Sequence, residues 1–297
     1  MSFKRSKVTF QNLNDLLGAP EEGGTTDIEI SKIRKFENHP FKVLENESMD
    51  ELIESIKTNG VLNPVLVRPI DDTNYSYEML SGHRRLYAAT SLGLLTIPAI
   101  VKEMDDDTAT IAMIDSNIQR EELLPSERAW ALRMKLEAVK RQGKRNDLTS
   151  GNDCQKLATE EIGEEFGLKG RQVRNYIRLT YLIPQLLEYV DKKAVPFVVG
   201  VELSFFFEDD QNVIYEYLSA GNKITTRQIK VLRKYTEDGK KLTVEDIGAL
   251  LNESKSKKRE FKLEEKTIKK YFPENYSSQQ IQEVVMRLIE EWSLDNK

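Results

Sequence analysis

The sequence predicts an α+β domain, then an all-α domain, then a small C-terminal helical segment. A short β-branched run at 61–69, an alternating aromatic-rich run at 75–80 and the run at 97–101 indicate strands. From residue 124 onward the apolar residues recur with helical spacing. We therefore divide the chain into five parts: a flexible tail (1–27), an α+β domain (28–123), a helical domain (124–235), a linker (236–260) and a C-terminal helical segment (261–297).

The composition limits the class of protein. The 297 residues suffice for two or three domains, and 31% of them are charged, with a net charge of −5. A single cysteine excludes an internal disulfide framework, and two histidines make a zinc site implausible. Because no apolar run reaches the roughly 20 residues of a membrane helix, and residues 1–10 lack the apolar block of a signal peptide, we expect a cytoplasmic protein.

Several turn signals delimit the predicted helices of the first domain. Ser48 and Glu51 have capping-box spacing, and Asn59-Gly60 is typical of a helix end. Ser81 is expected to cap a second helix, which Gly93 ends. The acidic run 105–107 is interpreted as a turn and a helix cap.

The start of that second helix is a candidate phosphate site. A helix N-terminus offers unpaired N–H donors and the positive end of the helix dipole. Gly82 lets the backbone approach an anion, while Arg84 and Arg85 bring fork-shaped donors that match phosphate oxygens. The alternative is a solvated helix start, where a glycine followed by two arginines is also common.

A second motif predicts DNA binding. A helix at 157–166, a glycine-containing turn at 167–170 and a helix at 171–182 match a helix-turn-helix, with Gly163 permitting a close helix crossing. The second helix carries side chains that can hydrogen-bond base edges or phosphates. These candidates are Arg171, Gln172, Arg174, Asn175 and Arg178.

Charge distribution supports this interpretation. Residues 125–193 contain fourteen Lys or Arg and ten Asp or Glu, which gives this part a net charge of +4 in a chain of net charge −5. The alternative is a basic helical hairpin that serves only packing.

Two apolar stretches beyond the motif are less specific. Phe205, Phe206 and Phe207 are expected in the core, because no basic residues interleave them and an acidic run follows. Six apolar residues between Ile281 and Trp292 share one side of a helix, which could close a small terminal domain or pair with another copy.

Four ordered signals together resemble the ParB family of DNA-partition proteins. They are Gly60-Val61-Leu62-Asn63-Pro64-Val65-Leu66-Val67-Arg68, then Ser81-Gly82-His83-Arg84-Arg85-Leu86-Tyr87-Ala88-Ala89, then Asn117-Ile118-Gln119-Arg120-Glu121, then the helix-turn-helix. The resemblance implies a sulfiredoxin-like N-terminal domain that binds CTP with Mg²⁺, a helical domain that recognises a centromere-like site on double-stranded DNA, and a C-terminal dimerisation part. The homodimer would act as a DNA clamp in plasmid or chromosome partition, associated with the nucleoid.

The resemblance also implies roles for individual residues. The nucleotide-binding residues would be Gly82, His83, Arg84, Arg85, Asn117 and Arg120. Asn117 and Glu121 would lie near Mg²⁺, for which Asn and Glu oxygens are suitable ligands. The basic tail residues Lys4, Arg5 and Lys7 lie where the family contacts a ParA-type ATPase.

Two departures from the family pattern bear on turnover. His83 stands where the family usually has glutamate, and Ser116 stands where the second motif usually has one. Neither replaces the charge and the oxygen ligands of a carboxylate. We therefore expect no catalytic residue of the usual kind, and nucleotide binding with at most weak CTPase activity.

The sequence is also compatible with other functions. One alternative is a site-specific transcriptional repressor on a mobile element, with a vestigial nucleotide domain. Another is a ParB-fold enzyme, either a kinase or a nuclease, although a nuclease needs acids clustered for metal binding.

Overall fold

The computed structural model describes residues 24–118, 123–146, 152–237, 239–256, 271–273 and 275–295. The chain divides into two compact units, 1–250 and 251–297, which are described separately. Among the helices of these described ranges, none combines the length and the apolar character needed to cross a membrane.

A five-stranded mixed sheet forms the first part of unit 1. Its strands are β1 (Thr26–Glu29), β2 (Ile33–Arg34), β3 (Val65–Pro69), β4 (Tyr77–Ser81) and β5 (Thr96–Val101), in the order β1-β5-β3-β4-β2. Strand β3 runs antiparallel to β4 and parallel to β5, whereas β1 is antiparallel to β5 and β2 is parallel to β4. A 3₁₀ turn at Ile30–Lys32 joins β1 to β2.

Helices cover both faces of the sheet. The side chains of a strand alternate between the two faces, and here both faces carry apolar side chains. On one face Val65 and Val67 pack in a core with Leu86 of helix α2 (His83–Ser91). On the other face Leu66 packs with Met113 of helix α3 (Asp106–Asp115). Helix α1 (Glu47–Asn59) covers α2 through Met49, Ile56 and Ala88.

The helix caps match the sequence expectations in part. Asp105 caps α3 by accepting a hydrogen bond from the Thr108 N–H at 2.8 Å, and Gly60, at φ 72°, ends α1. Ser48 is not the N-cap of α1. Asn46 takes that position and accepts from the Met49 N–H at 3.2 Å, so the helix begins earlier than the capping-box pattern predicts.

Glu78 is buried in the middle of the sheet and joins three strands. It is 1% exposed and lies opposite Arg68 of β3 and Arg34 of β2. One carboxylate oxygen accepts from Arg68 Nε at 2.8 Å and the other from Arg34 Nε at 3.1 Å. Burial opposes the charge of Arg68, but its hydrogen bonds to Glu78 and Asp106 outweigh burial and raise its pKa.

Further helices follow the sheet in unit 1. They are α4 (Pro125–Asn146), α5 (Asn152–Glu165), α6 (Gly170–Leu179), α7 (Pro184–Asp191), α8 (Phe197–Leu203), α9 (Glu208–Ser219) and α10 (Thr226–Glu237). Leu132 and Leu136 of α4 pack with Ile162 of α5 and Val173 of α6. The predicted fold class, an α+β domain followed by helical parts, is confirmed.

The region predicted as a linker, 236–260, contains a helix. Helix α11 (Val244–Ser256) crosses the boundary between the two units. Leu242 and Ile247 are buried, and the Leu242 N–H lies 3.3 Å from the Asp210 carboxylate of α9. The apolar residues of this stretch therefore contribute to packing. The sequence does not indicate this, because many charged residues surround them.

Unit 2 contains one long described helix, α12 (Ser278–Asp295), as the periodicity predicts. Ile281 is buried, whereas Leu288, Ile289 and Trp292 are each more than half exposed. Among its described residues, this unit therefore presents an apolar helix surface to solvent.

Removing the carboxylate of Glu78 should destabilise unit 1 strongly. In Glu78→Ala the Arg68 guanidinium stays buried and keeps only the exposed carboxylate of Asp106 as an acidic partner, so we expect the free energy of unfolding to fall by about 3–5 kcal/mol. Urea denaturation of the full chain measures this. The matched control is Glu54→Ala, which removes an exposed partner of Lys57 and should change stability little. Equal destabilisation by the two substitutions would contradict the assigned role.

Candidate functional site

A left-handed glycine joins strand β4 to helix α2. Ser81 belongs to the strand, so it is not the helix cap that the sequence suggests; Gly82 is the N-cap, at φ 104°. An added Cβ at Gly82 would lie 2.7 Å from Val65 Cγ1, so packing as well as backbone conformation requires glycine here. The first backbone N–H groups of α2, from His83 to Arg85, precede the first helical hydrogen bond, Leu86 N–H to Gly82 O.

This helix start opens into a cleft of about 530 Å³, a volume typical of small-molecule sites. Residues 39–43, 48–52 and 81–85 supply most of the lining, together with Asn117. The sequence predicts the segment 81–85 and Asn117 as parts of a site. It gives no signal for the first two segments, because they approach the helix start only through the tertiary fold.

Two arginines in the cleft have neutral partners. Arg84 Nη2 donates to the backbone oxygen and the hydroxyl of Ser48, both at 2.8 Å. Arg85 Nη1 donates to the carbonyls of Asn63 and Pro64, at 2.7 and 2.6 Å. Within the described ranges neither guanidinium forms an ion pair with a carboxylate. Burial lowers the pKa of Arg85, yet an arginine stays charged at neutral pH, so an anion in the cleft would be stabilised.

Both histidines of the chain lie together in this cleft. The rings of His39 and His83 have centroids 3.8 Å apart and an interplanar angle of 39°. His39 Nδ1 lies 2.8 Å from the Phe41 carbonyl. The sequence predicted His83 as a site residue but gave no signal for His39, which is 44 positions away.

The second predicted nucleotide motif is described only in part. Asn117 follows α3, and its amide nitrogen donates to the Met113 carbonyl at 2.9 Å, as does the Ser116 hydroxyl at 2.8 Å. The amide oxygen of Asn117 is a candidate ligand for Mg²⁺. Arg120 and Glu121 lie outside the described residues. Among the described residues, no cluster of three His, Cys, Asp or Glu side chains suits a metal ion.

The cleft is connected to the helical part of unit 1. The Lys42 N–H, at the edge of the cleft, donates to Glu127 of α4 at 2.7 Å. Glu127 also accepts from the Leu124 N–H at 3.0 Å. A second connection is buried Lys135 of α4, which contacts both Asp115 at the end of α3 and Glu165 at the end of α5.

Helices α5 and α6 form the predicted helix-turn-helix. A Cβ at Gly163 would lie 2.5 Å from the Leu168 carbonyl, so glycine permits the close approach of α5 to the turn. Arg171, Gln172 and Arg174 are exposed, and Asn175 is partly exposed. The Gln172 side chain accepts from the Lys169 N–H at 2.9 Å, and Arg174 Nη1 lies 3.4 Å from the Thr159 hydroxyl.

Arg178 differs from the other candidates on α6. Its Nη2 donates to the Ser204 carbonyl, and its guanidinium carbon lies 4.6 Å from the ring centre of Tyr181 and 4.0 Å from that of Phe205. Burial lowers its pKa. Its side chain therefore connects α6 to the end of α8, a packing role that spacing along the helix does not reveal.

Of the three phenylalanines expected in the core, only Phe206 is buried. Phe205 is 46% exposed and Phe207 is 83% exposed. Arg178 and Arg233, from α6 and α10, lie over the Phe205 ring at 4.0 and 4.4 Å. The expectation failed because the basic residues that accompany Phe205 are distant in sequence. The tail residues Lys4, Arg5 and Lys7 lie outside the described residues.

Comparison with known proteins identifies relatives. The family model of the ParB N-terminal domain matches residues 18–118. The chromosome-partitioning protein Spo0J of Thermus thermophilus is 33% identical over 59% of this chain and 58% of its own length. A probable chromosome-partitioning protein ParB of Vibrio cholerae is 28% identical over 78% of this chain and 72% of its own length.

The solved structures that resemble this chain include two of a C-terminally truncated ParB from Caulobacter crescentus. The one complexed to the centromeric parS site is 24% identical, with a TM-score of 0.41, and covers 70% of this chain and 99% of that one. The one complexed with CTP-γ-S is 25% identical, with a TM-score of 0.31, and covers 66% and 99%.

The match to the ParB N-terminal domain covers the motifs at 60–68 and 81–89. Helices α5 and α6, which form the helix-turn-helix, follow this domain in the chain. The chain spans 58% of the length of the Thermus protein. Residues 18–118 thus match the ParB N-terminal domain, and the chain is similar to chromosome-partitioning proteins over 59% to 78% of its length.

Proposed function

We propose that this chain is a DNA-binding partition protein that binds CTP with Mg²⁺ in the cleft and double-stranded DNA through helix α6. One observation carries the nucleotide part of the proposal. Arg84 and Arg85 bring two guanidinium groups to the N-terminal end of α2, where their protein partners are neutral oxygens. Such a site favours a polyanion such as a triphosphate.

The lining of the cleft fits the rest of a nucleotide in general terms. Phe41, Val43 and Leu52 line the cleft together with the two arginines, as expected for a ligand that has both a base and phosphates. Bound Mg²⁺ would neutralise part of the phosphate charge. Asn117 is the described residue that we propose near this ion, and Arg120 and Glu121 are proposed neighbours from the family pattern.

The DNA part of the proposal rests on α6. Exposed Arg171, Gln172 and Arg174 provide donors that suit phosphates and base edges, and α6 is held by its packing on α4 and α5. The Caulobacter relative was crystallised with its centromeric parS site. For this chain we propose an analogous duplex site, contacted by the first two turns of α6.

Assembly completes the proposed clamp. The exposed apolar residues of α12 would pair with a second copy, which makes the chain a homodimer. A ParA-type ATPase would bind the basic tail. With CTP bound, the two copies would close around DNA and serve plasmid or chromosome partition.

Replacing Arg85 tests the nucleotide site. We expect Arg85→Ala to weaken CTP binding by about 100-fold or more, because a partly buried guanidinium that would contact phosphate is lost. Isothermal titration calorimetry with CTP, ATP, GTP and UTP in Mg²⁺ measures the affinity and the base preference. Arg227→Ala, which removes an exposed arginine of α10, is the matched control and should bind like the unchanged chain. Absence of binding by any nucleotide, even with DNA present, would favour the repressor alternative.

Hydrolysis should be slow in this chain, because His83 stands at the position of the usual carboxylate. We expect His83→Glu to raise the rate of CTP hydrolysis by about 10-fold or more in the presence of Mg²⁺ and bound DNA. Release of inorganic phosphate is the measurement. Equal rates in the two proteins would show that residue 83 does not limit turnover.

Substitutions on α6 should separate DNA contact from packing. Arg171→Ala should weaken binding to duplexes from the chain's own locus by about 10- to 100-fold and leave stability unchanged. Arg178→Ala should instead lower the free energy of unfolding by about 1–3 kcal/mol, because it removes the contacts to Ser204 and Phe205.

Fluorescence anisotropy with labelled duplexes and urea denaturation measure the two effects, again with Arg227→Ala as control. A loss that is confined to the specific duplex would indicate a base contact, and a uniform loss would indicate a phosphate contact. Unchanged affinity in Arg171→Ala would move the DNA contact away from the start of α6.

A further inference from the structure

The cleft contains two neighbouring histidine rings, and the motif at 81–85 accounts for only one of them. His39 comes from the segment between β2 and α1, and His83 is the first residue of α2. Their ring centroids are 3.8 Å apart, and both residues line the cleft that contains Arg84 and Arg85. The fold thus places the only two histidines of the chain beside the proposed phosphate position.

The hydrogen bond of His39 fixes which nitrogen carries the proton. A backbone carbonyl only accepts, so His39 Nδ1, at 2.8 Å from the Phe41 oxygen, is the protonated nitrogen. In the neutral ring Nε2 is then an acceptor, and it becomes a donor only when the ring gains a second proton. Only a protonated His39 could therefore donate a hydrogen bond from Nε2 to an anion in the cleft.

The charged groups around the pair favour protonation only when an anion is present. Lys42, Arg84 and Arg85 add positive charge, and Glu51 on α1 is the acidic residue among the described residues that line the cleft. Glu127, on α4, is hydrogen-bonded to the backbone of Lys42. Cations nearby oppose the charging of an imidazole, whereas phosphates within a few ångströms favour it.

The short distance between the rings limits the pair to about one added proton, because two imidazolium ions in contact repel each other strongly. We propose that His39 and His83 together form a proton-linked phosphate-binding pair, which takes up a proton when a nucleoside triphosphate enters the cleft. This inference rests on the proposed nucleotide binding. It adds His39 to the binding residues and gives His83 a role that a glutamate at that position could not have.

The consequence is a definite pH dependence. Binding with uptake of one proton strengthens as the pH falls through the range in which imidazoles titrate, by up to about tenfold per pH unit. A carboxylate at position 83 would repel phosphate over the same range. The terminal phosphate of CTP also titrates here, so its contribution must be separated from that of the histidines.

Calorimetry in buffers of different ionisation enthalpy counts the protons directly. We would titrate the full chain with CTP and Mg²⁺ from pH 6 to pH 8.5, beside His39→Asn and His83→Gln. The asparagine amide can retain the donor to the Phe41 carbonyl, and glutamine can retain a donor near the position of Nε2, but neither titrates. The terminal phosphate of CTP contributes to proton uptake in all three proteins. Differences in proton uptake between the proteins therefore come from the histidines.

We expect the unchanged chain to take up between about half a proton and one proton more than either variant near neutral pH. We also expect affinity in the variants to lose most of its dependence on pH. Equal proton uptake in all three proteins would overturn the inference while leaving the proposed nucleotide binding intact. If the unchanged chain bound no nucleotide at any pH, the proposed function itself would fail. Should one variant fail to fold, the other variant still decides between these outcomes.

Discussion

The turn at Gly82 is the constraint on which the candidate nucleotide site depends. Strand β4 runs directly into helix α2 with no intervening loop, and this requires a left-handed residue at φ 104°. A side chain there would also meet Val65 of β3 at 2.7 Å. The short connection aims the start of α2, with its arginines, at the cleft. Any larger residue would displace the helix from the sheet.

Arginines in this chain serve two purposes, which their partners distinguish. Arg68 lies in the sheet against buried Glu78, so its charge is compensated within the protein. Arg85 donates instead to two backbone carbonyls, which satisfy its hydrogen bonds but not its charge. A partly buried cation without a carboxylate carries a desolvation cost, and a bound anion would offset that cost. Because of this difference we propose Arg85 as a ligand-binding residue, whereas Arg68 stabilises the sheet.

The α+β and helical parts of unit 1 share buried polar contacts. Glu127 holds the backbone of Lys42 at the edge of the cleft, and Lys135 contacts Asp115 and Glu165. Burial raises the pKa of Asp115, an effect that Lys135 opposes. Asp115 lies two residues before Asn117, and Glu165 ends the first helix of the helix-turn-helix. Helix α4 is therefore in physical contact with both candidate sites.

Local patterns in the sequence determined the fold class, the helix-turn-helix and the glycine-arginine motif at 82–85. Alternation and helical periodicity depend on near neighbours, so they identified the central strands, the long helices and the segment 81–85. Spacing did not reveal what distant segments contribute. The pairing of His39 with His83, the contact of Arg178 with Phe205 and the burial of Glu78 between two arginines all join residues more than twenty positions apart or on different strands. Only the packing of the chain decided those contacts, because side chains compete for partners in three dimensions.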